Sequence, residues 1–439
     1  MSLSMPLKVL IIPDKFKGTL TARAAAEAIA RGWRRARPGD ALRLMAMSDG
    51  GDGFGEVMSA LLHAKGQTVR TVDAAHRACV GRWWWEPKTR TAIVESANVI
   101  GLAMLRPGSI ESRKSKVQSR ERGGCRVSGV GGGEVQSPES RVRTLKSEVR
   151  GARFEVGNAK AEAGDHAEGE FHPFALDTFG LGAVLGAAGR MGARRCIVGI
   201  GGSATNDGGF GLARACGWEF FDEDGSRIER WTDLGRLEHI RAPRVRWCFR
   251  ELVVAVDVQN PLLGPRGAAR VYGPQKGLRR DDFGLAEGCL RRLGRVVAKQ
   301  FGRDFAREPG AGAAGGLGFG LLAFLGARLE PGFALFARYA NLDHRLDSTD
   351  LVVTGEGAID DSTLMGKGVG QVMQRCGELG IPCIALGGAV TARVKSPRTF
   401  REAHALTELT TIRQAKAKPA FWLERLAGRA AAQWLQVEG

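Results

Sequence analysis

The sequence predicts an α/β fold: a Rossmann-like parallel-sheet domain made from both ends of the chain, with a second α/β domain inserted in the middle. Short apolar runs such as that in Lys8–Ile12 (KVLII) read as strands buried on both faces. Glycine-rich polar loops and then Ala- or Leu-rich stretches follow them, the strand–loop–helix rhythm of a parallel sheet. That rhythm lapses after about residue 75 and returns near residue 281. The expected division is therefore residues 7–75 with 281–439 for the first domain and 76–280 for the second.

Taken in order, KVLII (Lys8–Ile12) is the first strand, and Thr21 caps a helix through Ala22–Arg35. Leu42–Met47 and Phe54–Ala64 repeat the pattern. Val69–Val72, Val80–Trp85 and Arg90–Glu95 are short strands without long helices between them. Gly180–Met191 is a helix, Arg195–Ile200 a strand and Glu251–Val256 another. Asp281–Phe301 and the glycine-rich Ala313–Leu325 are helices. Asp350–Thr354, Gly368–Leu379, Pro382–Leu386 and Phe421–Trp434 read as strand, helix, strand and helix.

Residues 106–170 break the pattern. They are polar, rich in Gly, Ser, Arg and Glu, and poor in aromatics, a composition that cannot bury a core. GEVQSPE, SRVRTLK, SEVRGAR and FEVGNAK follow one another from Gly133 to Lys160, with Val135, Val142, Val149 and Val156 marking the repeat. One reliably apolar position per heptad is too few for a coiled coil. The expectation is a low-complexity, flexible insertion in a surface loop, where closure entropy grows slowly with length.

Composition narrows the class. The 439 residues are 44% hydrophobic, enough for a sizeable core. No apolar run approaches the roughly 20 residues of a membrane span, and the N-terminus lacks a secretory pattern, so a cytoplasmic protein without membrane partners is expected. The eight cysteines form no CxxC pair and the seven histidines no metal-ligand spacing. A net charge of +17 suits an anionic ligand. The basic residues are nevertheless spread along the chain, and no nucleic-acid motif accompanies them. The cluster Arg31, Arg34, Arg35 and Arg37 reads as a solvated helix end.

Four loops carry chemistry, each after a strand, where open α/β sheets bind ligands. PDKFKG presents Asp14, Lys15 and Lys17; SDGGDG presents Asp49 and Asp52. GIGGSATNDGG (Gly199–Gly209) presents Gly201, Gly202, Ser203, Thr205, Asn206 and Asp207 on backbone that can approach an anion closely. It contains a formal GxGxxA with Asp222 behind it. The residues that follow, Thr205–Gly209, are poor helix formers, which argues against a dinucleotide site. TGEGAIDDSTLMGKG offers Glu356, Asp360, Asp361, Thr363 and Lys367, without the Walker A spacing. Asp257 and Asn260 follow another strand, and Lys276 lies between glycines in GPQKG. Carboxylates, lysines and glycines without a His pair or a Cys nucleophile form the set that phosphoryl transfer needs.

These motifs, with DVQNPLLG and GAGAAGGLG in the same order, resemble the bacterial type-1 glycerate kinase family over Leu7 to about Ala389, insertion excluded. The resemblance implies a kinase that uses ATP and Mg²⁺ on D-glycerate, giving 2-phosphoglycerate, with 3-phosphoglycerate the rival product. A catalytically impaired relative is the alternative. It implies Asp49, Asp257 and Glu356 as metal ligands, and Lys17, Lys276 and Lys367 as cations for phosphate or carboxylate. Lys15, Gly201, Gly202, Ser203, Thr205, Asn206, Asn260 and Thr363 complete the substrate and phosphate contacts. Asp207 is the expected base, with Asp14 and Asp360 as alternatives. The chain departs from the family pattern at Lys15, where Ser is common. It also departs at Asp52 and Phe54 in place of Glu and Thr, and at Ala358 in place of Arg; Lys15 is a candidate to compensate for that last change. The oligomeric state is left open, a homodimer included.

Overall fold

A computed structural model describes residues 5–105, 171–244, 249–364, 368–391 and 402–437. The expected insertion 106–170 and Lys367 lie outside the described residues. The strands are β1 (Lys8–Pro13), β2 (Ala41–Leu44), β3 (Lys65–Val72), β4 (Ala78–Glu86), β5 (Thr91–Glu95), β6 (Arg195–Gly199), β7 (Glu219–Phe221), β8 (His239–Arg241), β9 (Glu251–Val256), β10 (Arg328–Pro331), β11 (Leu351–Ile359), β12 (Cys383–Val390) and β13 (Glu402–Ala405). The main helices are α1 (Ala22–Ala36), α2 (Phe54–Leu62), α3 (Leu181–Arg190), α4 (Phe210–Ala215), α5 (Phe283–Phe301), α6 (Ala313–Leu325), α7 (Gly332–Ala340), α8 (Gly368–Leu379) and α9 (Pro419–Val437).

The first sheet has the order β13-β12-β11-β1-β2 and is parallel throughout. Both chain ends build it, as the returning rhythm predicts. The second has the order β10-β9-β6-β5-β4-β3. It is parallel from β10 to β5, and β5, β4 and β3 run antiparallel. Tight turns explain the change: Asp73 accepts from the N–H groups of Ala75 and Arg77, and Glu86 from those of Lys88 and Thr89. Because β3 pairs with β4 and β10 with β9, the second sheet extends from Lys65 to Pro331, beyond the 76–280 expected.

Alternation along the strands sorts the core into layers. Val9, Ile11, Leu351 and Val353 face α1 and α9, whereas Leu10, Ile12 and Val352 face α2, α7 and α8. Ile93, Ile197 and Val253 of the second sheet meet Phe54, Met58 and Leu335 from α2 and α7. Cys196, Val198 and Val254 face α3 to α6 on the other side. Helices α2 and α7 are thus shared between the sheets. Burial of each such Phe or Leu contributes about 1.5–3 kcal/mol.

Local differences from the sequence reading have physical reasons. Arg37 is buried rather than solvated: its Nε donates to Asp40 at 2.6 Å, beside the Trp33 indole at 2.8 Å from the same oxygen. Arg31 and Arg35 both pair with Glu424 of α9. The β7–β8 hairpin, β10 and β13 escaped notice because three or four residues carry no period. Strand β11 runs on to Ile359, since β1 pairs with it as far as Gly355 and β12 carries it on to the Ile359–Val390 pair. The first six residues of the expected fourth loop, 354–359, are therefore strand. Among the described residues no helix is long and apolar enough to cross a membrane.

Candidate active site

The loops expected to carry chemistry leave the carboxyl ends of β1, β2, β6, β9 and β11. Asp14 follows β1; its N–H donates to Gly355 O at 2.8 Å, and its Oδ1 accepts from Lys15 N at 2.7 Å. Burial, then the charges of Asp49 and Glu356, push its carboxyl up to about 7 against the pull of Lys15. Asp257 is pushed further, to about 9, by burial, by Asp49 and Asp14, and by a hydrogen bond shared with Asp49. These side chains therefore form one anionic group drawn from three strand ends. Gly332 closes it: a Cβ there would overlap the Asp49 carbonyl oxygen and lie 2.7 Å from Asp257 Oδ1.

Lys15 supplies the opposing charge at Asp14, Asp257 and Glu95 alike. Its Nζ donates to Asp52 O at 3.0 Å and would be 2.7 Å from a Cβ at Gly51. Ala358 is exposed on β11 and brings no cation. Lys17 is exposed. On β11, Glu356 Oε1 accepts from Thr363 Oγ1 at 2.7 Å, and Thr363 Oγ1 accepts from Asp360 N at 3.2 Å.

Glu95, the last residue of β5, was missed, although the rule that found the loops points to strand ends. It is buried and accepts from Gly53 N at 2.8 Å and Gly55 N at 2.9 Å, one bond to each oxygen. That clamp fixes the turn from SDGGDG into α2. Glu95→Gln converts one acceptor into a donor facing an N–H, and kcat/KM is expected to fall about 10- to 100-fold. Unchanged steady-state kinetics would show that the turn holds without the clamp.

The third loop presses on the second. Gly201 N donates to Gly50 O at 3.2 Å, and a Cβ at Gly202 would overlap Asp52 Oδ1. Ser203 Oγ and Thr205 Oγ1 are 3.0 Å apart. Asp207 lies apart from the carboxylate group and is fully buried. Its Oδ2 accepts from Thr178 N (3.0 Å), Thr178 Oγ1 (2.7 Å) and Gly211 N (2.9 Å), while Oδ1 faces Gly209 N at 3.4 Å. Burial and then Asp177 push its carboxyl up to about 6, and these hydrogen bonds oppose the shift. Thr178, also missed, passes the network on by accepting from Leu212 N at 2.8 Å.

Lys276 is buried; its Nζ donates to Thr205 O at 2.6 Å, and burial lowers its pKa to about 7. Asn206 is fully buried, and among the described residues neither its amide oxygen nor its nitrogen has a partner. Asn260 is saturated: Tyr272 Oη donates to Oδ1 at 2.6 Å, and Nδ2 donates to Arg266 O at 2.7 Å. It shapes the loop after β9, and its carbonyl accepts from Gly312 N at 2.9 Å. Lys367 lies outside the described residues.

Near Thr178, His76 Nε2 lies 3.0 Å from Asp177 Oδ2, and that bond, opposed by burial, raises the imidazole pKa. Stability from this pair is complete below the ordinary histidine value and is lost as pH rises through the raised one. The Tm difference between the wild type and His76→Gln is expected to be largest below the ordinary histidine value and to shrink as pH rises through the raised one. A difference that grows with pH would reverse the assignment.

A doubly sheeted α/β scaffold with carboxylates, lysines and glycine loops at its strand ends defines a phosphotransferase, a kinase. The glycerate kinase family model matches residues 9–124 and 126–435. Glycerate kinase of Halalkalibacterium halodurans is 32% identical over 387 residues, covering 87% of this chain and 85% of the relative. Glycerate 2-kinase of Escherichia coli is 30% identical over 393 residues, covering 88% and 86%. The crystal structure of a candidate glycerate kinase 2 from Salmonella typhimurium LT2 superposes with a TM-score of 0.71 at 25% identity, over 99% of this chain and 100% of that one. The chain belongs to the glycerate kinase family.

Proposed function

We propose that the chain transfers the γ-phosphoryl group of ATP to D-glycerate, with 2-phosphoglycerate as product. The convergence of Asp14, Asp49 and Asp257 with Lys15 carries this reading. Phosphoryl transfer is mostly positioning and charge neutralisation, and this group supplies both cationic and anionic partners. The name of the Escherichia coli relative supports attack through the 2-hydroxyl.

Among the described residues no three His, Cys, Asp or Glu side chains form a ready-made metal cage. Mg²⁺ does not need one, because it keeps waters and binds through one or two carboxylates plus phosphates. Burial first, and then neighbouring carboxylate charge, raises Asp14 and Asp257, and a hard dication would offset that charge. One or two of Asp49, Asp257 and Glu356 would hold it, and it would neutralise charge on the phosphates. Lys15 lies beside that group and orients the phosphates, with the exposed Lys17 as a second cation from the same loop. Asp14 takes the proton of the acceptor hydroxyl, its affinity near 7 matching a base for neutral pH. Asp207 is assigned to the scaffold instead, because its oxygens already accept from four groups.

Incubation with ATP, MgCl₂ and D-glycerate, with the products resolved by ³¹P NMR, tests the reading. ADP and 2-phosphoglycerate are expected. The 3-isomer would correct the regiochemistry, and absence of ADP would favour a binding protein without turnover.

A further inference from the structure

We infer that Arg90, Arg194 and Arg250 form a second anion site, at the end of the second sheet opposite the candidate active site, and that its ligand is an oligophosphate.

The topology lines the three arginines up. Each is the residue just before a strand: Arg90 before β5, Arg194 before β6 and Arg250 before β9. These strands are parallel neighbours in one register, with Thr91 beside Arg195 and Arg195 beside Glu251. Arg194 N donates to Arg90 O at 2.9 Å and Glu251 N to Arg194 O at 3.1 Å, so backbone bonds tie the row together. The row spans two strand spacings, about 10 Å. The five residues of β6 put about 16 Å of strand between it and the loop that starts at Gly199.

The row faces open space. Arg194 and Arg250 line two cavities of about 470 and 550 Å³; Arg90 and Phe249 help to line the first, and Thr89, Arg195 and Glu251 the second. Glu251 is the one carboxylate among these residues, and Arg195 at 2.6 Å and Arg328 at 3.1 Å already share it. Among the described residues, neither the Arg194 nor the Arg250 guanidinium has a hydrogen-bond or ion-pair partner. Arg90 is held in the left-handed region at φ 54°, and its Nε donates to Gly192 O at 2.7 Å. That bond anchors its guanidinium at the first cavity, and non-glycine residues in such strained conformations gather at ligand sites. Like charges side by side repel, and a bound anion cancels that repulsion.

The donor set selects the ligand. Guanidinium is a planar fork that takes phosphate or carboxylate oxygens two at a time. Three forks spread over about 10 Å match linked phosphates better than one compact anion. Phe249 also lines a larger cavity of about 990 Å³ with Trp218, Phe301 and Phe324. A nucleoside attached to the phosphates would find an aromatic surface there.

Titration calorimetry of the full-length protein with tripolyphosphate and, separately, with ADP, both without Mg²⁺, tests the assignment. Wild type is compared with the double variants Arg194→Ser/Arg250→Ser and Arg194→Lys/Arg250→Lys. One binding component is expected to weaken at least about 10-fold in both variants, because lysine keeps the charge but not the fork. Glycerate turnover should stay within about twofold of wild type, and Tm without ligand should hold or rise, since the exposed arginines have no partners to lose. Tighter binding of tripolyphosphate would identify a free oligophosphate as the ligand, and tighter binding of ADP a nucleotide. Unchanged affinities in the serine variant would place all the binding at the active-site loops and overturn the inference. Wild-type affinity in the lysine variant would also overturn it, reducing the row to unspecific positive charge.

Discussion

Asp14→Asn is expected to lower kcat by about 10²- to 10⁴-fold while KM for the acid changes little. Asparagine keeps the volume and the oxygen that receives Lys15 N, but it cannot take a proton from a hydroxyl. The fold should not suffer. Asp14 is buried beside Asp49 and Glu356, and their charges already disfavour its ionised form. Removing the charge relieves that repulsion, so Tm is expected to hold or rise. A variant that is both more stable and nearly inactive is the signature of a residue kept for chemistry at a structural cost. Wild-type kcat in Asp14→Asn would move the base elsewhere, with Asp360 the next carboxylate in the loops.

Asp207→Ala is expected to fail in the opposite way. Three buried donors, Thr178 N, Thr178 Oγ1 and Gly211 N, lose their acceptor, and Lys276 loses a buried counter-charge. Stranding buried donors and a charge costs about 3–5 kcal/mol. The denaturant midpoint should fall with little change in slope. Asp207→Asn separates the two roles: its oxygen can still receive Thr178 and Gly211, so kcat should stay near wild type. A well-folded Asp207→Asn protein with collapsed kcat would return Asp207 to the role of base.

These two aspartates show where sequence reasoning reached and where it stopped. Both lie in polar glycine loops after strands, and in one dimension they look alike. Asp207 had the richer motif around it and drew the catalytic role. Folding separates them: Asp207 turns into the helix start at α4, whereas Asp14 faces charges from β2, β9 and β11. Glu95 shows the reverse case. At the end of an apolar strand it carries no motif, yet it fixes the second loop through two N–H groups.

Strand runs, glycine loops and the lapse and return of the α/β rhythm determined the fold class and the kinase reading, and they set the candidate site at strand ends. Backbone pattern and residue type are local, and those features depend only on them. Which carboxylates share one charge field, which one is saturated by donors and which amide is left without a partner was decided by tertiary structure alone. Those properties depend on burial and on distances between groups as far apart in the chain as Asp14, Asp257 and Glu356. A folded chain sets such distances, and no run of neighbouring residues contains them.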